Sequence, residues 1–305
     1  MNSSLKYVLI TPARNEEKSI EREIQSVISQ TVLPEKWVII NDVSTDRTEE
    51  IITRYMNTYP WIELVNMPAT RDRNFAAKVD CFNAGYERVK DTTYEIIGNL
   101  DADISFENDY IEFLLDKFAR DPELGVAGTP FVEDDGYSSI DDSFEGERHV
   151  AGGCQLFRKK CFEDIGGYIP NKAGGIDWIA VTTARMKGWK TQSFREKVFH
   201  HHRSLGTGES NWIKAAFSYG QKDYYLGNHP LWEALRILYR MTKKPFIIEG
   251  IILLLGYSWA FITRVKRPIS KELMRFHRYE EMQKLKAILT ILIQFKKVDK
   301  FKLKI

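Results

Sequence analysis

Residues 94–104, YEIIGNLDADI, form an apolar run that ends on two aspartates, Asp101 and Asp103. The length of the run and its β-branched residues predict a buried strand. Because side chains alternate along an extended chain, the two carboxylates point to the same face. Burying two like charges without compensation is costly, so we expect a positively charged partner to visit them. The alternative is a solvated loop with two turn-forming aspartates.

Outward from this stretch, strand-like and helix-like patterns alternate along the first 130 residues. Strand-like runs lie at residues 6–10, 37–40, 61–65 and 124–129, and helical spacing of apolar residues lies at 20–28, around 49–55, at 76–89 and at 110–118. This alternation predicts an α/β fold with a mostly parallel central sheet flanked by helices. Polar loops at 11–17, 41–48 and 101–104 follow strands. Ligands bind at the carboxyl ends of such strands, so we expect these loops to open into one crevice.

The chain lacks the glycine-rich loops that hold phosphate groups on backbone amides, since neither GxGxxG after the first strand nor GxxxxGK[ST] is present. A divalent cation on a carboxylate pair can hold phosphate groups instead, because Mg²⁺ and Mn²⁺ bind one or two carboxylates together with phosphate oxygens. Asp101 and Asp103 are therefore predicted to form a metal–diphosphate site. Arg71, Arg73 and Lys78 could assist with phosphate, although each alone is typical of a solvated surface charge.

Carboxylates and hydroxyls fill the loop NDVSTDRT, residues 41–48. Asp42 and Ser44 can bond to a base, a ribose or backbone amides. Asp46 is predicted to cap the following helix, with Ser44 as the alternative cap, just as Asn15 is predicted to cap the first helix. Asp42 lies too early in the loop for capping and is the better ligand.

Three motifs in this order resemble those of family 2 glycosyltransferases with the GT-A fold. They are PxxNE at Pro12, Asn15 and Glu16, NDxSTDxT at 41–48, and DxD at Asp101 and Asp103. The helix AAKVDCFNAGYE, residues 76–87, is similar to a family segment through Asn83 and Gly85. The resemblance covers about residues 5–205. Asn41 departs from it, since the family usually has an aspartate there.

The resemblance implies roles for the residues that match these motifs. The loop after the first strand would line the nucleoside, Asp42 would contact the base, Asp101 would contact the ribose or the metal, and Asp103 would bind the cation. The donor-binding set is Pro12, Arg14, Glu16, Asp42, Lys78, Asp101, Ala102 and Arg203.

The family's catalytic base is an aspartate before a helix, and the matching position is Asp177 in AGGIDW, residues 173–178. The glutamate that usually precedes this aspartate is replaced by Ile176. Inverting sugar transfer needs one carboxylate to take the proton of the acceptor hydroxyl, and Trp178 offers an apolar face for a sugar. Two alternatives stay open: Asp177 as a helix cap, and Asp141 or Asp142 as the base.

Three histidines precede an arginine in the run His200, His201, His202 and Arg203. Adjacent side chains cannot all face one ion, and the family often has a histidine near this point. We predict His202 as a metal ligand and Arg203 as a diphosphate ligand, while a structural role fits His200 and His201 nearly as well. Residues 204–210, SLGTGES, are typical of a flexible lid over the donor.

The last seventy residues differ from the rest in charge. Residues 236–305 hold 17 Lys and Arg against 5 Asp and Glu, a net of +12, whereas the remainder has a net of −10. Residues 245–263 form a 19-residue apolar run, borderline for a spanning helix of about 20. Basic residues at both ends favour a helix on the membrane surface, with Tyr257 and Trp259 at the interface; a core helix is the alternative. The predicted domains are a glycosyltransferase domain at 1–235 and a basic helical segment at 236–305.

The sequence therefore predicts a metal-dependent inverting glycosyltransferase that uses Mg²⁺ or Mn²⁺ and a nucleotide-diphospho-sugar donor. The expected acceptor is a lipid-linked glycan or polysaccharide at the cytoplasmic membrane face, with peripheral attachment and no nucleic acid partner. A short apolar run at the N-terminus predicts a cytosolic start, and three cysteines without a paired pattern suit a reducing compartment. The alternatives are a sugar nucleotidyltransferase, a HAD-type phosphatase and a non-catalytic nucleotide-sugar-binding membrane scaffold.

Overall fold

The computed structural model describes residues 5–68, 75–134, 136–142, 146–171, 174–202, 212–243 and 245–294. The chain divides into two compact units. Residues 1–172 and 176–204 form the first, and residues 173–175 and 205–305 form the second. This division lies about thirty residues ahead of the predicted domain boundary at 235/236, which stays a prediction.

Strands and helices alternate along the first unit, in the order that the sequence predicts for its first 130 residues. The strands are β1 (Tyr7–Ala13), β2 (Lys36–Asn41), β3 (Ile62–Asn66), β4 (Ile96–Leu100), β5 (Ile104–Ser105), β6 (Leu124–Gly128), β7 (Phe131–Glu133), β8 (Cys154–Arg158), β9 (Lys190–Ser193) and β10 (Phe199–His201). The helices are α1 (Ile20–Ile28), α2 (Thr48–Met56), α3 (Phe75–Val89), α4 (Tyr110–Arg120), α5 (Ser139–Asp142), α6 (Lys159–Asp164) and α7 (Ile176–Met186).

The central sheet of the described chain has the strand order β3-β2-β1-β4-β8-β6-β9. β1 pairs in parallel with β2 and β4, as β2 does with β3 and β6 with β9, whereas β8 is antiparallel to β4 and β6. One hydrophobic core lies between the sheet and α1, α2 and α4, and the other between the sheet and α3, α6 and α7. The predicted α/β class with a mostly parallel sheet is confirmed.

Alternation along the strands supplies both cores. In β1, Tyr7 and Leu9 belong to one core, and Val8 and Ile10 belong to the other. All four side chains are essentially inaccessible to solvent. Burial on both faces explains why these strands read as continuous apolar runs rather than alternating ones.

A second, three-stranded sheet of the described residues brings the end of β4 beside the histidine run. Its order is β5-β10-β7, with β10 antiparallel to β5 and parallel to β7. His201 is in register with Ile104 on one side and with Glu133 on the other. The short strand β5 follows the two aspartates directly, so this sheet fixes their position relative to His201.

The first helix coincides with the predicted apolar repeat at 20–28, but its N-cap differs from the predicted one. α1 starts at Ile20 with Ser19 at the N-cap position, so Asn15 as its cap is wrong. Asn15 has a φ of 55°, in the left-handed region, and its side-chain oxygen accepts from the Thr45 backbone N–H at 2.8 Å. The Glu16 carbonyl accepts from the N–H groups of Ser19 and Ile20. These bonds hold residues 14–19 in turns that remain part of the loop after β1.

The second unit is helical in its described part. Its helices are α8 (Trp212–Tyr225), α9 (Pro230–Met241), α10 (Ile248–Ile262) and α11 (Lys271–Ile293). α8 and α10 cross closely: a Cβ at Gly220 would lie 2.0 Å from the Leu253 carbonyl oxygen, and one at Gly256 would lie 2.1 Å from that of Phe217. Only glycine permits this approach. None of the described helices is both long and apolar enough to cross a membrane.

Candidate active site

Asp101, Asp103 and His201 form a cluster at the carboxyl end of β4. Each offers one ligand atom, and these atoms all lie within 4.8 Å of one another. His201 Nε2 is 3.4 Å from Asp103 Oδ1, and the Asp101 N–H donates to the Gly153 carbonyl at 2.8 Å. Asp103 is buried and Asp101 is partly exposed. Two carboxylates and one imidazole at this spacing are a suitable donor set for a divalent cation, so these residues fit the predicted metal.

Lys78 supplies the positive charge that the two aspartates lead us to expect. Its ammonium, on α3, contacts Asp101 Oδ1, and the charges of Asp177 and Asp103 also act on it. Burial by itself would lower the pKa of Lys78, but the Asp101 carboxylate raises that pKa above its ordinary value. Lys78 is therefore a protonated counter-charge within the site.

The loops after β1 and β2 interlock through hydrogen bonds. Backbone N–H groups of the first loop donate to side chains of the second: Asn15 to Ser44 Oγ at 3.0 Å, Glu16 to Thr48 Oγ1 at 2.7 Å and Glu17 to Asp46 Oδ2 at 3.1 Å. Asp46 also accepts from the N–H of Thr48, the first residue of α2, at 3.0 Å, but the N-cap position is Arg47, so the prediction of Asp46 as the cap is wrong by one residue. These bonds give the two loops one fixed shape.

Asp42 keeps one acceptor atom without a protein donor. Its Oδ2 accepts from the Arg14 guanidinium at 3.3 Å, whereas its buried Oδ1 has no hydrogen-bond partner among the described residues. Asn41 differs, because its amide nitrogen donates to Asn66 Oδ1 at 2.8 Å and its oxygen accepts from the Ser44 N–H at 3.0 Å. Asn41 thus shapes the loop, and Asp42 keeps one buried oxygen that has no donor among the described residues.

Three other residues of the donor-binding set have structural surroundings that limit what they can do. Pro12 lies inside β1 and is partly exposed. Glu16 is buried and accepts from the Ser19 hydroxyl at 2.9 Å. The Ala102 side chain belongs to the hydrophobic core, so this residue could meet a donor only through its backbone.

Asp177 lies in the first turn of α7, beside a glycine on the strand-end segment before β8. A Cβ at Gly152 would lie 2.9 Å from the Asp177 Cβ, so any larger residue would displace the aspartate. Lys78, Gly152, Tyr168 and Asp177 line a small cavity. Trp178 is only 6% exposed. The expectation that its ring is open to a sugar is therefore wrong, because the ring faces the interior.

The site also has a buried carboxyl group nearby, which no sequence pattern predicted. Glu23 on α1 has 0% exposure, and its Oε1 accepts from the Thr11 hydroxyl at 2.7 Å. Burial raises the pKa of Glu23 well above its ordinary value, against the Thr11 hydrogen bond, and the charges of Asp103 and Asp101 raise it further. Burial therefore disfavours the ionised form of Glu23 beside the two aspartates.

His202 has partners other than the aspartate pair. Its Nε2 is 2.7 Å from Ser105 Oγ, and its Nδ1 is 3.2 Å from Asp134 Oδ1. The possible metal ligands of the described chain include His201 rather than the predicted His202. One signal in the sequence could have pointed to His201. In a strand, residues 199 and 201 share a face, and the apolar Phe199 indicates that this face is the buried one. His201 is then expected to face the interior, and His202 the opposite side.

Several predicted residues lie outside the described part of the chain. They are Arg71, Arg73, Arg203 and the lid segment 204–210, together with the side chains of Asp141 and Asp142 on α5. Their predicted roles stay predictions.

Solved structures with a similar fold are glycosyltransferases. The mannosyltransferase PcManGT from Pyrobaculum calidifontis, solved with GDP-Man and Mn²⁺, has a TM-score of 0.55 and 19% identity, and the match covers 86% of this chain and 73% of that one. TarS residues 1–349 from S. aureus, solved with UDP-GlcNAc, has a TM-score of 0.57 and 14% identity, and the match covers 97% and 89%. At these identities the likeness shows the fold alone. The first unit therefore has the α/β fold of GT-A glycosyltransferases.

Comparisons of sequence support the resemblance. Residues 8–144 match the family model described as glycosyl transferase family 2, so the predicted resemblance is confirmed. The chain is 25% identical over 209 residues to a poly-beta-1,6-N-acetyl-D-glucosamine synthase of Staphylococcus epidermidis, which covers 63% of this chain and 47% of that protein. The chain thus spans about half the length of the curated relatives it matches.

Proposed function

We propose that this chain is an inverting glycosyltransferase that transfers a sugar from a nucleotide-diphospho-sugar to an acceptor hydroxyl. The observation that carries the proposal is the cluster of Asp101, Asp103 and His201 at the carboxyl ends of the strands, within a family 2 sequence. Lys78 links this cluster electrostatically to Asp177, the base that the resemblance implies. Cation, donor and base would then lie around one lysine.

The cluster would hold Mg²⁺ or Mn²⁺ through one atom from each of its three residues. A bound cation of this kind neutralises the charge that develops on a diphosphate leaving group. The similar mannosyltransferase was solved with Mn²⁺, which supports this assignment. In this proposal His201 replaces His202 as the third ligand, because His201 Nε2 faces Asp103 whereas His202 Nε2 faces Ser105.

We propose uracil as the base of the donor nucleotide. Asp42 Oδ1 is a buried acceptor without a described partner, and a carboxylate can only accept hydrogen bonds. Uracil offers a ring N–H between two carbonyl groups. That N–H could donate to Oδ1 while the adjacent Arg14 guanidinium, which carries several N–H donors, meets a carbonyl. Adenine and cytosine present a ring acceptor at the corresponding edge, so Asp42 would disfavour them. Guanine also carries a ring N–H beside a carbonyl, so this contact alone does not separate it from uracil. TarS was solved with UDP-GlcNAc, in agreement with this choice.

Asp177 is proposed as the general base. It would take the proton from the acceptor hydroxyl as that oxygen bonds to the anomeric carbon, while the bond from this carbon to the diphosphate oxygen breaks. The nucleoside diphosphate would leave with the electron pair of that bond. Lys78 would hold negative charge on the phosphate side, and Gly152 would give the Asp177 carboxylate its close approach.

A polysaccharide or lipid-linked glycan at a membrane is the proposed acceptor. The matched relatives in Staphylococcus are named as poly-beta-1,6-N-acetyl-D-glucosamine synthases, which supports an acceptor of this class. The second unit exposes apolar side chains along α10, including Leu255 at 56% and Trp259 at 57% exposure. Peripheral attachment through this helix would hold the chain at the membrane that carries such an acceptor.

Thermal unfolding with nucleotide sugars tests the proposal. UDP-, GDP-, ADP- and CDP-sugars are added with and without Mn²⁺, and a uridine donor is expected to stabilise the protein only with the cation. At 100 times the dissociation constant the gain is about 2.7 kcal/mol. Asp103→Asn should abolish the gain, and Asp116→Asn, an exposed control on α4, should keep it. Transfer is then measured with radiolabelled donor. Cation-independent stabilisation, or hydrolysis without transfer, would contradict the proposal.

A further inference from the structure

The imidazole of His201 lies between two carboxylates. Its Nε2 is 3.4 Å from Asp103 Oδ1, and its Nδ1 is 3.9 Å from Oε1 of Glu133 on the neighbouring strand β7. His201 and Glu133 are register partners of the parallel pair β10 and β7, so their side chains project to the same face. Glu133 is 7% exposed. This carboxylate therefore belongs to the interior beside the candidate metal ligands.

The Nδ1 atom of His201 is buried and has no hydrogen-bond partner among the described residues. A buried polar atom without a partner is costly, and the separation of 3.9 Å from Glu133 is longer than a hydrogen bond. A small rotation of either side chain would close this gap. A histidine that binds a metal through one ring nitrogen usually donates the other N–H to a carboxylate, a carbonyl or water.

We propose that Glu133 is a positioning residue for His201. Its carboxylate accepts the Nδ1–H, which fixes the tautomer and leaves the Nε2 lone pair directed at the cation position beside Asp103. Glu133 itself binds neither cation nor donor. This inference rests on the proposed function, since it concerns a site that holds a divalent cation.

The adjacent histidine offers a matched control. His202 Nδ1 lies 3.2 Å from Asp134, so each of two consecutive histidines faces one of two consecutive acids. The other ring nitrogen of His202 meets Ser105 rather than an aspartate of the cluster. Removing the Asp134 carboxylate therefore tests whether any acid beside the histidines matters, or only the one behind His201.

The experiment measures Mn²⁺ binding by isothermal titration calorimetry on the full chain without donor. Wild type, Glu133→Gln, Glu133→Ala, Asp134→Asn and Asp103→Asn are compared. Glu133→Ala is expected to weaken Mn²⁺ binding by roughly 10- to 100-fold, the usual effect of losing such a partner. Glu133→Gln, which keeps an acceptor oxygen and guards against misfolding of the alanine variant, should weaken it less. Asp134→Asn should bind as wild type does.

Nitrogen-15 spectra of the histidine side chains without metal give a readout that a purely structural role would not move. The wild-type His201 ring is expected to carry its proton on Nδ1, and Glu133→Ala should lose this preference. If Glu133→Ala keeps wild-type affinity and tautomer while Asp103→Asn loses Mn²⁺, the inference about Glu133 is wrong and the metal site stands. If wild type binds no Mn²⁺, or Asp103→Asn binds it unchanged, the proposed metal site fails and this inference fails with it.

Discussion

Lys78 on α3 forms an ion pair with Asp101 at the end of β4. The pair gives the two aspartates at this strand end a counter-charge. The protonated lysine neutralises part of their charge, and burial disfavours ionisation of the nearby Glu23. In the proposed site a divalent cation and Lys78 would compete for the same carboxylate, although both would stabilise the diphosphate of a donor.

Lys78→Met is expected to separate these two effects. Without donor, removing the ammonium should tighten Mn²⁺ binding roughly tenfold, the equivalent of about 1.4 kcal/mol, because the carboxylates lose their internal counter-charge. With donor, binding should weaken, because a cation beside the phosphates is lost. Calorimetric titration of Mn²⁺ and of the nucleotide sugar measures the two constants. Lys90→Met, an exposed control just beyond α3, should change neither. Weaker Mn²⁺ binding in Lys78→Met would show instead that the lysine holds the ligands in place.

Asp177→Asn is expected to keep donor affinity and to lower the rate of transfer by roughly 10²-fold or more, the usual size of a general-base contribution. The amide is nearly isosteric with the carboxylate, so the close contact with Gly152 is preserved. Single-turnover transfer and donor binding are measured on the same preparation. Glu163→Gln on α6 serves as the control for a lost surface carboxylate. An unchanged rate would show that Asp177 is not the base and would leave Asp141 and Asp142 as the candidates.

Much of the fold could be predicted because periodicity in the sequence reports burial. The strands of the parallel sheet are buried on both faces, so they appear as apolar runs, and the helices repeat apolar residues on one face. The N-cap of α1 could not be predicted in this way, although the apolar repeat at 20–28 matches the helix itself. Asn15 is a residue typical of an N-cap, but its side chain bonds to the next loop, at Thr45, which is a tertiary contact.

The sequence predicts the strand-end aspartates Asp42, Asp101 and Asp103 and also Lys78 as site residues, but it does not predict how these residues pair. Lys78 reaches Asp101 from another helix, and Glu133 meets His201 through a strand pairing that no local pattern encodes. Both relationships depend on the order of strands in the sheets, and that order is decided by packing over the whole unit.

A buried acidic group in the second unit predicts a pH dependence of stability. Burial, followed by the charge of Asp223, raises the pKa of Glu233 on α9 to about 8 from an ordinary value of 4.5. Its Oε2 accepts from Asn228 at 3.1 Å, and its Oε1 has no partner among the described residues. Between pH 4.5 and about 8 the folded state binds a proton that the unfolded state has lost. The free energy of unfolding therefore falls as pH rises through this window.

Glu233→Gln removes this proton-binding group, so the free energy of unfolding should decrease less steeply with pH. At pH 8 the variant is expected to be more stable than wild type by about 1 kcal/mol or more, the equivalent of one unit of pKa shift. Urea unfolding at pH 5, 6.5 and 8 measures the slope. Glu272→Gln, an exposed position on α11, should follow wild type. Parallel slopes for Glu233→Gln and wild type would contradict the assignment.

Attachment to an anionic membrane is expected to depend on the outer face of α10. The residues Gly250, Leu253, Gly256 and Ala260 face the interior of the second unit. Ile251, Leu255, Trp259 and Ile262 repeat on another face and are exposed by 43%, 56%, 57% and 73%. The helix thus has features of both predicted alternatives, a core helix and a membrane-surface helix. One side packs inside the second unit, and the other side is apolar and exposed to solvent. A helix with such a face can lie in the membrane interface.

Co-sedimentation with vesicles that contain phosphatidylserine tests this attachment. Wild type is expected to bind at low salt and to bind less at high salt. Each Lys or Arg near such a surface contributes about 1 kcal/mol, a term that fades within a Debye length of about 8–10 Å. The double variant Leu255→Asp with Trp259→Asp should lose binding at both salt concentrations, because it removes the apolar contact while leaving the packed face intact.

Leu33→Asp, at an exposed leucine of the first unit, is the control for added charge. Circular dichroism confirms that each variant is folded. Wild type that does not bind the vesicles at low salt, or a folded double variant that binds as wild type does, would rule out attachment through α10.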